Sequence, residues 1–491
     1  MGKQKAPKPI DLARKPRGFP DKREDLIRAE QSMIDRVTAV YRRWGFEGLD
    51  TGAFEYADAL GKFLPDQDRP NAGVFAVQDD DEQWMSLRYD LTAPLARFAA
   101  ENWQTLPKPF RRYAAGPVWR NEKPGPGRFR EFLQCDADTV GAAGAHADAE
   151  MIAMAAEAMR AAGASDGEFA IRVNTRRLLN AVLEGVGAND ETARLTILRA
   201  LDKLDKFGAS GVAELLGAGR MDESGDFTKG AGLDPAAIDR VLAFAQAGRE
   251  TRSETLEALG VAVGEGEEAM AGLAELSAIS TALEALGTPE GDVKFDPSIV
   301  RGLEYYTGPV FEADLLRETI NEDGELVRIG SVGGGGRYDD LVARFTGEKI
   351  PATGFSVGIS RLVTAFSIRG DIQTQNGPVV VLNMDRDNPA IALTLATELR
   401  QAGIRAEAYM GSSGMRPQMK YADRRRAPAA IMVGTDELAK GVVTIKDLKE
   451  GARQAAAIQS NEEYREARPG QFEAPRAEMI TRIRAILEAD Q

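Results

Sequence analysis

The sequence predicts an α+β protein in which a large first domain precedes a small α/β domain. Three observations support this prediction: two strand-like segments of period two between residues 110 and 140, a middle stretch rich in Ala, Leu and Glu, and strands that alternate with helices after residue 377. A length of 491 residues suits about two to four domains with ample core.

The composition fits a soluble globular protein, with 43% hydrophobic and 28% charged residues. No apolar run approaches the ~20 residues that a membrane-spanning helix needs. The segment Met1–Pro20 is rich in Lys and Pro and lacks the apolar stretch of a secretory signal, so we expect a disordered arm and a cytoplasmic protein. The single cysteine, Cys135, and the single histidine, His146, leave no set of ligands for a zinc site, and we predict no resident metal.

The charge is unevenly distributed along the chain. The net charge of −14 argues against a nucleic-acid partner, but residues 377–491 carry 17 Lys and Arg against 16 Asp and Glu. Within this part, the run Arg424–Arg426 follows Arg416 and Lys420, with Asp423 between them. A solvated helix face is the ordinary interpretation of such a run, and a phosphate-binding patch is the alternative.

The first domain is expected to begin with a helix over about 21–44. Two strands over 110–122 and 128–140 then form a hairpin around the loop Lys123–Gly127. Because side chains alternate in a strand, the hairpin has one polar face, which is either solvated or the floor of a binding site. That face carries Arg120, Glu122, Arg128, Gln134, Asp136 and Asp138.

The rest of the chain divides by its pattern. We predict a first domain over 1–370 with a helical insertion at about 176–290, an α/β domain over 377–465, and a helical tail over 466–491. After the insertion come strands near 293–314, a hairpin turn at 321–324, a glycine-rich run at 331–340, and a strand that runs into a helix at 354–361.

One run, Arg301–Phe311, combines a charge with two tyrosines in a strand-like segment. Arg301 is either a surface residue or a binding group for carboxylate or phosphate, since a buried guanidinium needs a partner. Together with Arg120 and Arg361, it gives three separated arginines beside several carboxylates. This inventory suits electrostatic stabilisation of phosphoryl oxygens, as when an ionised carboxylate attacks the α-phosphate of ATP.

These residues lie in segments that resemble the histidyl-tRNA synthetases, a family of class II aminoacyl-tRNA synthetases, over nearly the whole chain. Five segments follow the family's order: Ser86–Pro94, Gly116–Gln134, Arg301–Tyr306, Gly333–Val342 and Gly354–Arg361. The resemblance implies a six-stranded antiparallel catalytic sheet flanked by helices, a small α/β anticodon-binding domain, and a homodimer. It also implies that ATP, accompanied by Mg²⁺, and L-histidine form histidyl-adenylate, from which histidine passes to tRNA-His.

The resemblance also implies roles for individual residues. Arg301 and Arg120 are the expected catalytic groups at the carboxylate and the α-phosphate. The residues expected to bind histidine are Asp90, Leu91, Thr92, Arg120, Gln134, Asp138, Arg301, Tyr305 and Tyr306. Those expected to bind ATP are Arg120, Glu122, Arg128 and Arg361.

The chain departs from the family's usual residues at several positions. Glu304 stands where the family usually has Asp, and Asp138 stands where it usually has Glu. Gly52 replaces a proline, and Ser360 stands where many relatives have Glu. The loop Lys123–Arg128 departs most, since Gly and Pro replace a Gln and a basic residue. This loop faces the tRNA acceptor end in class II enzymes, so our hypothesis is that the extra 5′ guanosine of tRNA-His is read weakly or differently.

Three alternatives remain at this point. A synthetase-like regulatory subunit of ATP phosphoribosyltransferase would share the fold without needing a complete active site or an anticodon domain. A class II synthetase for proline, threonine or glycine would share the anticodon domain, although the Tyr305–Tyr306 pair opposes it. A plain binding module fits poorly with three arginines from three separate motifs.

Overall fold

The structure is a computed structural model that describes residues 13–59, 73–125, 127–221, 225–300, 306–320, 326–327, 329–372, 376–385, 388–456 and 467–489. Arg301 and Tyr305, the turn at 321–324 and most of the N-terminal arm lie outside these described residues. The chain divides into two compact units, Met1–Ile372 and Gln373–Gln491.

The first unit contains both helices and strands. Its helices are α1 (Glu24–Arg43), α2 (Thr92–Asn102), α3 (Ala145–Ala162), α4 (Arg176–Gly185), α5 (Glu191–Leu201), α6 (Leu204–Leu216), α7 (Pro235–Ala245), α8 (Arg252–Val263), α9 (Glu267–Ala285), α10 (Ala343–Thr346) and α11 (Ile359–Ile368). Its strands are β1 (Glu47–Gly48), β2 (Phe54–Tyr56), β3 (Ala76–Gln78), β4 (Trp84–Leu87), β5 (Phe110–Trp119), β6 (Glu131–Val140), β7 (Phe169–Thr175), β8 (Gly219–Met221), β9 (Phe227–Lys229), β10 (Val293–Phe295), β11 (Pro309–Leu315), β12 (Thr319–Ile320), β13 (Leu326–Val327), β14 (Gly330–Arg337) and β15 (Ala352–Gly358).

A large mixed sheet organises the first unit. In the described part of the chain it has eight strands, in the order β1-β5-β6-β15-β14-β11-β7-β10. The strands from β5 to β7 in this order pair antiparallel, whereas β1 and β10 add to the two edges in parallel. The sheet therefore differs in detail from the expected six-stranded antiparallel sheet, because each edge strand has only two or three residues and gives little sequence signal.

The side chains of β6 show that the two faces of this sheet have different environments. Cys135 and Ala137 join a hydrophobic cluster with Val37 of α1 and Ile152 of α3. The Tyr41 hydroxyl of α1 donates to the carbonyl oxygen of Cys135 at 3.2 Å. Helices thus cover the face that carries the odd-numbered residues of β6, and the even-numbered residues point to the opposite face.

The segment predicted as a helical insertion is largely helical in the structure. Helices α4 to α9 follow one another between Arg176 and Ala285, with the short hairpin β8-β9 among them. Side-chain caps begin several of these helices; Asp190, for example, accepts from the backbone N–H of Ala193 at the start of α5.

The second unit is a small α/β unit. Its helices are α12 (Ala390–Gln401), α13 (Met415–Arg424), α14 (Thr435–Lys440), α15 (Leu448–Ala455) and α16 (Met479–Ala489), and its strands are β16 (Val379–Val381), β17 (Ala406–Ala408), β18 (Ala429–Met432), β19 (Val442–Asp447) and β20 (Gln471–Pro475). Among its described residues, these strands form one sheet in the order β17-β16-β18-β19-β20. The sequence did not predict β20, which pairs with β19, so the segment after 466 contributes a strand as well as a helix. Across the described residues of both units, no helix is long and apolar enough to cross a membrane.

Candidate active site

A cleft of about 500 Å³ opens on the polar face of the large sheet. Its volume lies within the usual range for a small-molecule site. The residues that line it come from the hairpin loop after β5, from β6, β14, β15 and α11, and from the start of α2 with the turn before it. Those with a predicted role are Asp90, Thr92, Arg120, Glu122, Arg128, Gln134, Asp138, Tyr306 and Arg361. The structure therefore gathers side chains from separate motifs into one place.

The polar face of β6 is the floor of this cleft. Gln134, Asp136 and Asp138 line it and are 8%, 1% and 2% exposed. A solvated outer face would leave such side chains accessible to water. The polar face is therefore buried beneath the cleft along β6, whereas Glu122 and Arg128 near the hairpin loop are exposed.

Asp138 is held from two sides. The guanidinium of Arg112, 1% exposed on the neighbouring strand β5, lies 2.9 Å from its carboxylate, and the Tyr338 hydroxyl donates to it. Burial raises the pKa of Asp138 despite these partners. Gly354 lies opposite Asp138 in the sheet, and a Cβ at that position would collide with the carboxylate. A larger residue there would displace Asp138.

A second carboxylate lies at the start of α2. Asp90 accepts hydrogen bonds from the backbone N–H groups of Thr92 at 3.2 Å and Ala93 at 2.9 Å. Burial raises its pKa in spite of these bonds. Leu91 is buried and does not line the cleft, but its carbonyl oxygen accepts from Arg112 at 2.6 Å. Arg112 thus ties the turn before α2 to Asp138.

Three arginines reach the cleft from different elements. Arg120, just after β5, donates from Nε to the carbonyl of Tyr89 at 3.0 Å, and its guanidinium lies 5.2 Å from the ring centroid of Phe132. Arg361, in the first turn of α11, donates to the carbonyl of Ile329 at 2.9 Å. Arg128 lines the same cleft at the end of the hairpin loop. These guanidinium groups give the cleft positive charge beside its carboxylates.

Tyr306 packs close to the backbone of the glycine-rich strand β14. A Cβ at Gly336 would come within 2.8 Å of the tyrosine ring. Glycine at this position therefore lets the ring pack directly on the strand. The other two residues of the same motif to which a role was assigned, Arg301 and Tyr305, lie outside the described residues.

Sequence reasoning assigned no role to several residues in or beside the cleft: Arg112, Asp136, Tyr338 and Ser356. The hairpin register offered a signal for one of them, since Arg112 pairs with Asp138 and shares the even-numbered face with Arg120. Asp136 was placed on the polar face but given no task. Tyr338 and Ser356 could not be found in this way, because their partners are about 200 residues away in the sequence.

Ser360, one of the departures from the family's usual residues, joins α11 to two other elements. Its hydroxyl donates to Glu30 of α1 at 2.7 Å and accepts from the backbone N–H of Leu133 at 3.0 Å. Glu30 is buried and also pairs with Lys22 at 2.8 Å. The carboxylate at this position is therefore that of Glu30 in α1, which lies against the Ser360 hydroxyl.

Comparison with known proteins identifies the family of the chain. The family model for histidyl-tRNA synthetase matches residues 18–362, and one for an anticodon binding domain matches residues 378–466. The chain belongs to the histidyl-tRNA synthetase family. It is 59% identical to the histidine–tRNA ligase of Caulobacter vibrioides over 97% of each chain, and 56% identical to that of Brucella ovis over 97% of this chain and 96% of the relative.

Two solved structures have a fold similar to that of this chain. The histidyl-tRNA synthetase of Nostoc sp. PCC 7120 matches with a TM-score of 0.70 at 28% identity, over 96% of this chain and 99% of that one. A Bacillus halodurans protein described as an ATP phosphoribosyltransferase regulatory subunit/histidyl-tRNA synthetase matches with a TM-score of 0.66 at 26% identity, over 85% of this chain and 98% of that one.

Proposed function

We propose that this member of the family is a histidine–tRNA ligase, which activates L-histidine with ATP and transfers it to tRNA-His. The observation that carries the proposal is the cleft itself, in which buried carboxylates lie beside three arginines. Family membership at 59% identity over 97% of the chain supports it. In this proposal the antiparallel strands from β5 to β7 are the six-stranded catalytic sheet of a class II synthetase.

The acidic floor suits the two cationic or hydrogen-bonding ends of histidine. Asp90 supplies a half-buried carboxylate for the α-ammonium group, with Thr92 and the buried amide oxygen of Gln134 in the same cleft. Asp138 and Tyr306 are assigned to the imidazole. A site built to hydrogen-bond the ring nitrogens rejects analogues that lack them by roughly 10⁴–10⁵, because its buried polar groups would be left unpaired.

The arginines suit the reaction between histidine and ATP. The histidine carboxylate is ionised at pH 7 and attacks the α-phosphate, so no protein base is needed. Arg120 and Arg361, with Arg128 and Glu122, would hold the nucleotide and stabilise negative charge as it develops. Arg301 is proposed as the second catalytic group, and Tyr305 as a neighbour of the imidazole, on the resemblance of their motif alone.

Mg²⁺ is proposed to arrive with ATP. Within the part of the chain that the structure describes, no group of three or more His, Cys, Asp and Glu side chains could hold a metal ion. Mg²⁺ does not require such a cage, since one or two carboxylates and the substrate phosphates usually hold it. Glu122 in the cleft is a suitable carboxylate. When bound, the ion would neutralise charge on the phosphates.

The remaining proposals concern partners. The unit Gln373–Gln491 would bind the tRNA anticodon, as the name of its family model suggests, and the protein would act in the cytoplasm. We also propose a homodimer. Phe54 and Tyr56 of β2 and Val77 of β3 expose 46%, 53% and 47% of their surface on one face of the small sheet β2-β4-β3. Clustered exposed apolar side chains are typical of protein interfaces.

The amino-acid dependence of ATP–pyrophosphate exchange tests the proposed function. We expect exchange with histidine and none with proline, threonine or glycine, followed by charging of tRNA-His in the same preparation. Exchange with one of the other amino acids would assign the chain to a different synthetase. A preparation that binds histidine without any exchange would instead favour the regulatory subunit of ATP phosphoribosyltransferase.

A further inference from the structure

Three side chains lie side by side on the floor of the cleft, where they can join in one hydrogen-bonded chain. Asp136 of β6 and Ser356 of β15 are directly opposite in the sheet, and Gln134 is the next residue on the same face of β6. The amide Nε2 of Gln134 donates to the Ser356 hydroxyl at 2.8 Å, and the position of Ser356 directly across from Asp136 places that hydroxyl to donate to the Asp136 carboxylate. All three residues line the cleft.

The direction of the hydrogens in this chain follows from the chemistry of its members. A bound ammonium group favours the ionised form of Asp136, and an ionised carboxylate only accepts hydrogen bonds. A serine hydroxyl has one hydrogen to donate and lone pairs with which to accept. With its hydrogen given to Asp136, Ser356 is left to accept from Gln134. The amide of Gln134 must then turn its NH₂ group to Ser356 and its oxygen Oε1 away from it.

The atoms left over point to a ligand. Among the described residues, Gln134 Oε1 and Asp136 Oδ1 are buried side-chain atoms with no hydrogen-bond partner. Unsatisfied acceptors of this kind are costly unless a ligand supplies the missing donor. An α-ammonium group carries three donors and a positive charge, and it is the part of an amino acid that such acceptors fit.

We propose that Asp136 is a positioning residue that acts through Ser356 to fix the amide of Gln134 with its oxygen facing the α-ammonium group of the substrate. The inference rests on the proposed function, in which Gln134 helps to bind that group. Ser356 links the two residues, because a hydroxyl that donates to Asp136 can only accept from the amide of Gln134.

Replacing Asp136 with asparagine should reverse this chain. The new amide can donate to Ser356, whose hydroxyl then donates to Gln134 Oε1 instead of accepting from Nε2. The Gln134 amide would turn over and present its NH₂ group to the substrate ammonium. Loss of a hydrogen bond to a charged group corresponds to about a tenfold or larger loss of affinity, and donor–donor repulsion adds to it.

Two histidine analogues make the test specific to the ammonium group. Histamine keeps the imidazole and the ammonium group, whereas 3-(imidazol-4-yl)propionate keeps the imidazole and the carboxylate. Inhibition constants of both are measured against histidine in ATP–pyrophosphate exchange for wild type and Asp136→Asn, together with the KM for ATP. We expect Asp136→Asn to weaken the binding of histidine and histamine about tenfold or more. The binding of the propionate and of ATP should weaken by less than about threefold.

Further variants separate positioning from a general disturbance of the cleft. Ser356→Ala breaks the same chain and should weaken the binding of histidine and histamine. The double variant should lose no more affinity than the more affected single variant, since both substitutions act through one amide. Asp80→Asn, an equal change of charge at an exposed residue between β3 and β4, is the matched control and should change nothing.

Equal weakening of both analogues by Asp136→Asn, or unchanged histamine binding, would overturn the proposed positioning role. Additive losses in the double variant would also overturn it. Failure of the proposed function has a different outcome, because wild type would then show no histidine-dependent exchange at all.

Discussion

Replacing Asp136 with asparagine should stabilise the unliganded protein at alkaline pH, although the cleft loses a carboxylate. Burial, reinforced by the nearby charge of Asp138, raises the pKa of Asp136 from 3.8 to about 7. A carboxyl whose pKa is raised by folding binds its proton more tightly in the native state than in the unfolded state. Its contribution to stability is complete below pH 3.8 and is lost as the pH rises through about 7.

The size of the effect follows from the same two pKa values. At pH 8 the ionised carboxylate costs about 4 kcal/mol relative to the unfolded chain, and at pH 5 it costs under about 2 kcal/mol. Asparagine carries no charge at either pH and removes this cost. For a unit of 372 residues, a gain of 4 kcal/mol corresponds to a rise of about 5 °C in Tm, and the gain at pH 5 to about 2 °C.

Thermal unfolding of the unliganded wild type and Asp136→Asn at pH 8 and pH 5 measures this difference. Asp90 and Asp138 are present in both proteins, and the variant loses their repulsion with the Asp136 charge, which acts in the same direction as the removal of the buried charge. Asp80→Asn, exposed between β3 and β4, controls for the loss of one charge. A lower Tm for Asp136→Asn at pH 8, or a difference that does not shrink at pH 5, would refute the reasoning. A variant that is more stable and yet binds histidine less well cannot have lost function by misfolding.

Three other predictions follow from the proposed roles. Arg120→Ala should lower histidine-dependent exchange by roughly 10²–10³, as for loss of a main charge-stabilising donor, and a rate near wild type would contradict its catalytic role. Because the loop Lys123–Arg128 offers few donors, aminoacylation of tRNA-His transcripts with and without the 5′ guanosine should differ little; the large loss usual in the family would contradict this. Neutralising the run Arg424–Arg426 should flatten the salt dependence of tRNA binding by about 0.7–0.9 for each phosphate that the variant no longer neutralises, and an unchanged slope would identify a solvated helix face.

Local patterns were sufficient to predict the hairpin that builds the cleft floor. The period of two in residues 128–140 separated Cys135 and Ala137, which pack against helices, from Gln134 and Asp138, which line the cleft. The strand that runs into a helix at 354–361 was likewise predicted, since β15 ends at Gly358 and α11 begins at Ile359. These elements are long, strongly patterned and close in sequence, so local periodicity carries the information.

Pairings between distant segments could not be predicted in this way. The edge strands β1 and β10 and the strand Gln471–Pro475 are short, and only their partners in the sheet make them strands. The same holds for single side chains. Tyr338 reaches Asp138 across about 200 residues of sequence, and Ser360 reaches Glu30 across more than 300. No local pattern records such pairings, because they depend on the packing of the whole unit.

Histidine binding is expected to release protons from the carboxyls of the cleft floor. Asp136 and Asp138 are buried there and Asp90 is half-buried, all three near Arg112, and desolvation raises the pKa of each of these carboxyls. With a pKa of about 7, Asp136 is close to half protonated at neutral pH. A bound ammonium group favours the ionised form, so histidine binding should lower this pKa and release protons. Calorimetric titration at pH 7 in buffers of different ionisation enthalpy measures the release, and Asp136→Asn should release fewer protons than wild type by up to about half a proton per site. Equal release by both proteins would show that the ammonium group and Asp136 are not coupled, and the chain from Asp136 through Ser356 to Gln134 would lose its electrostatic basis.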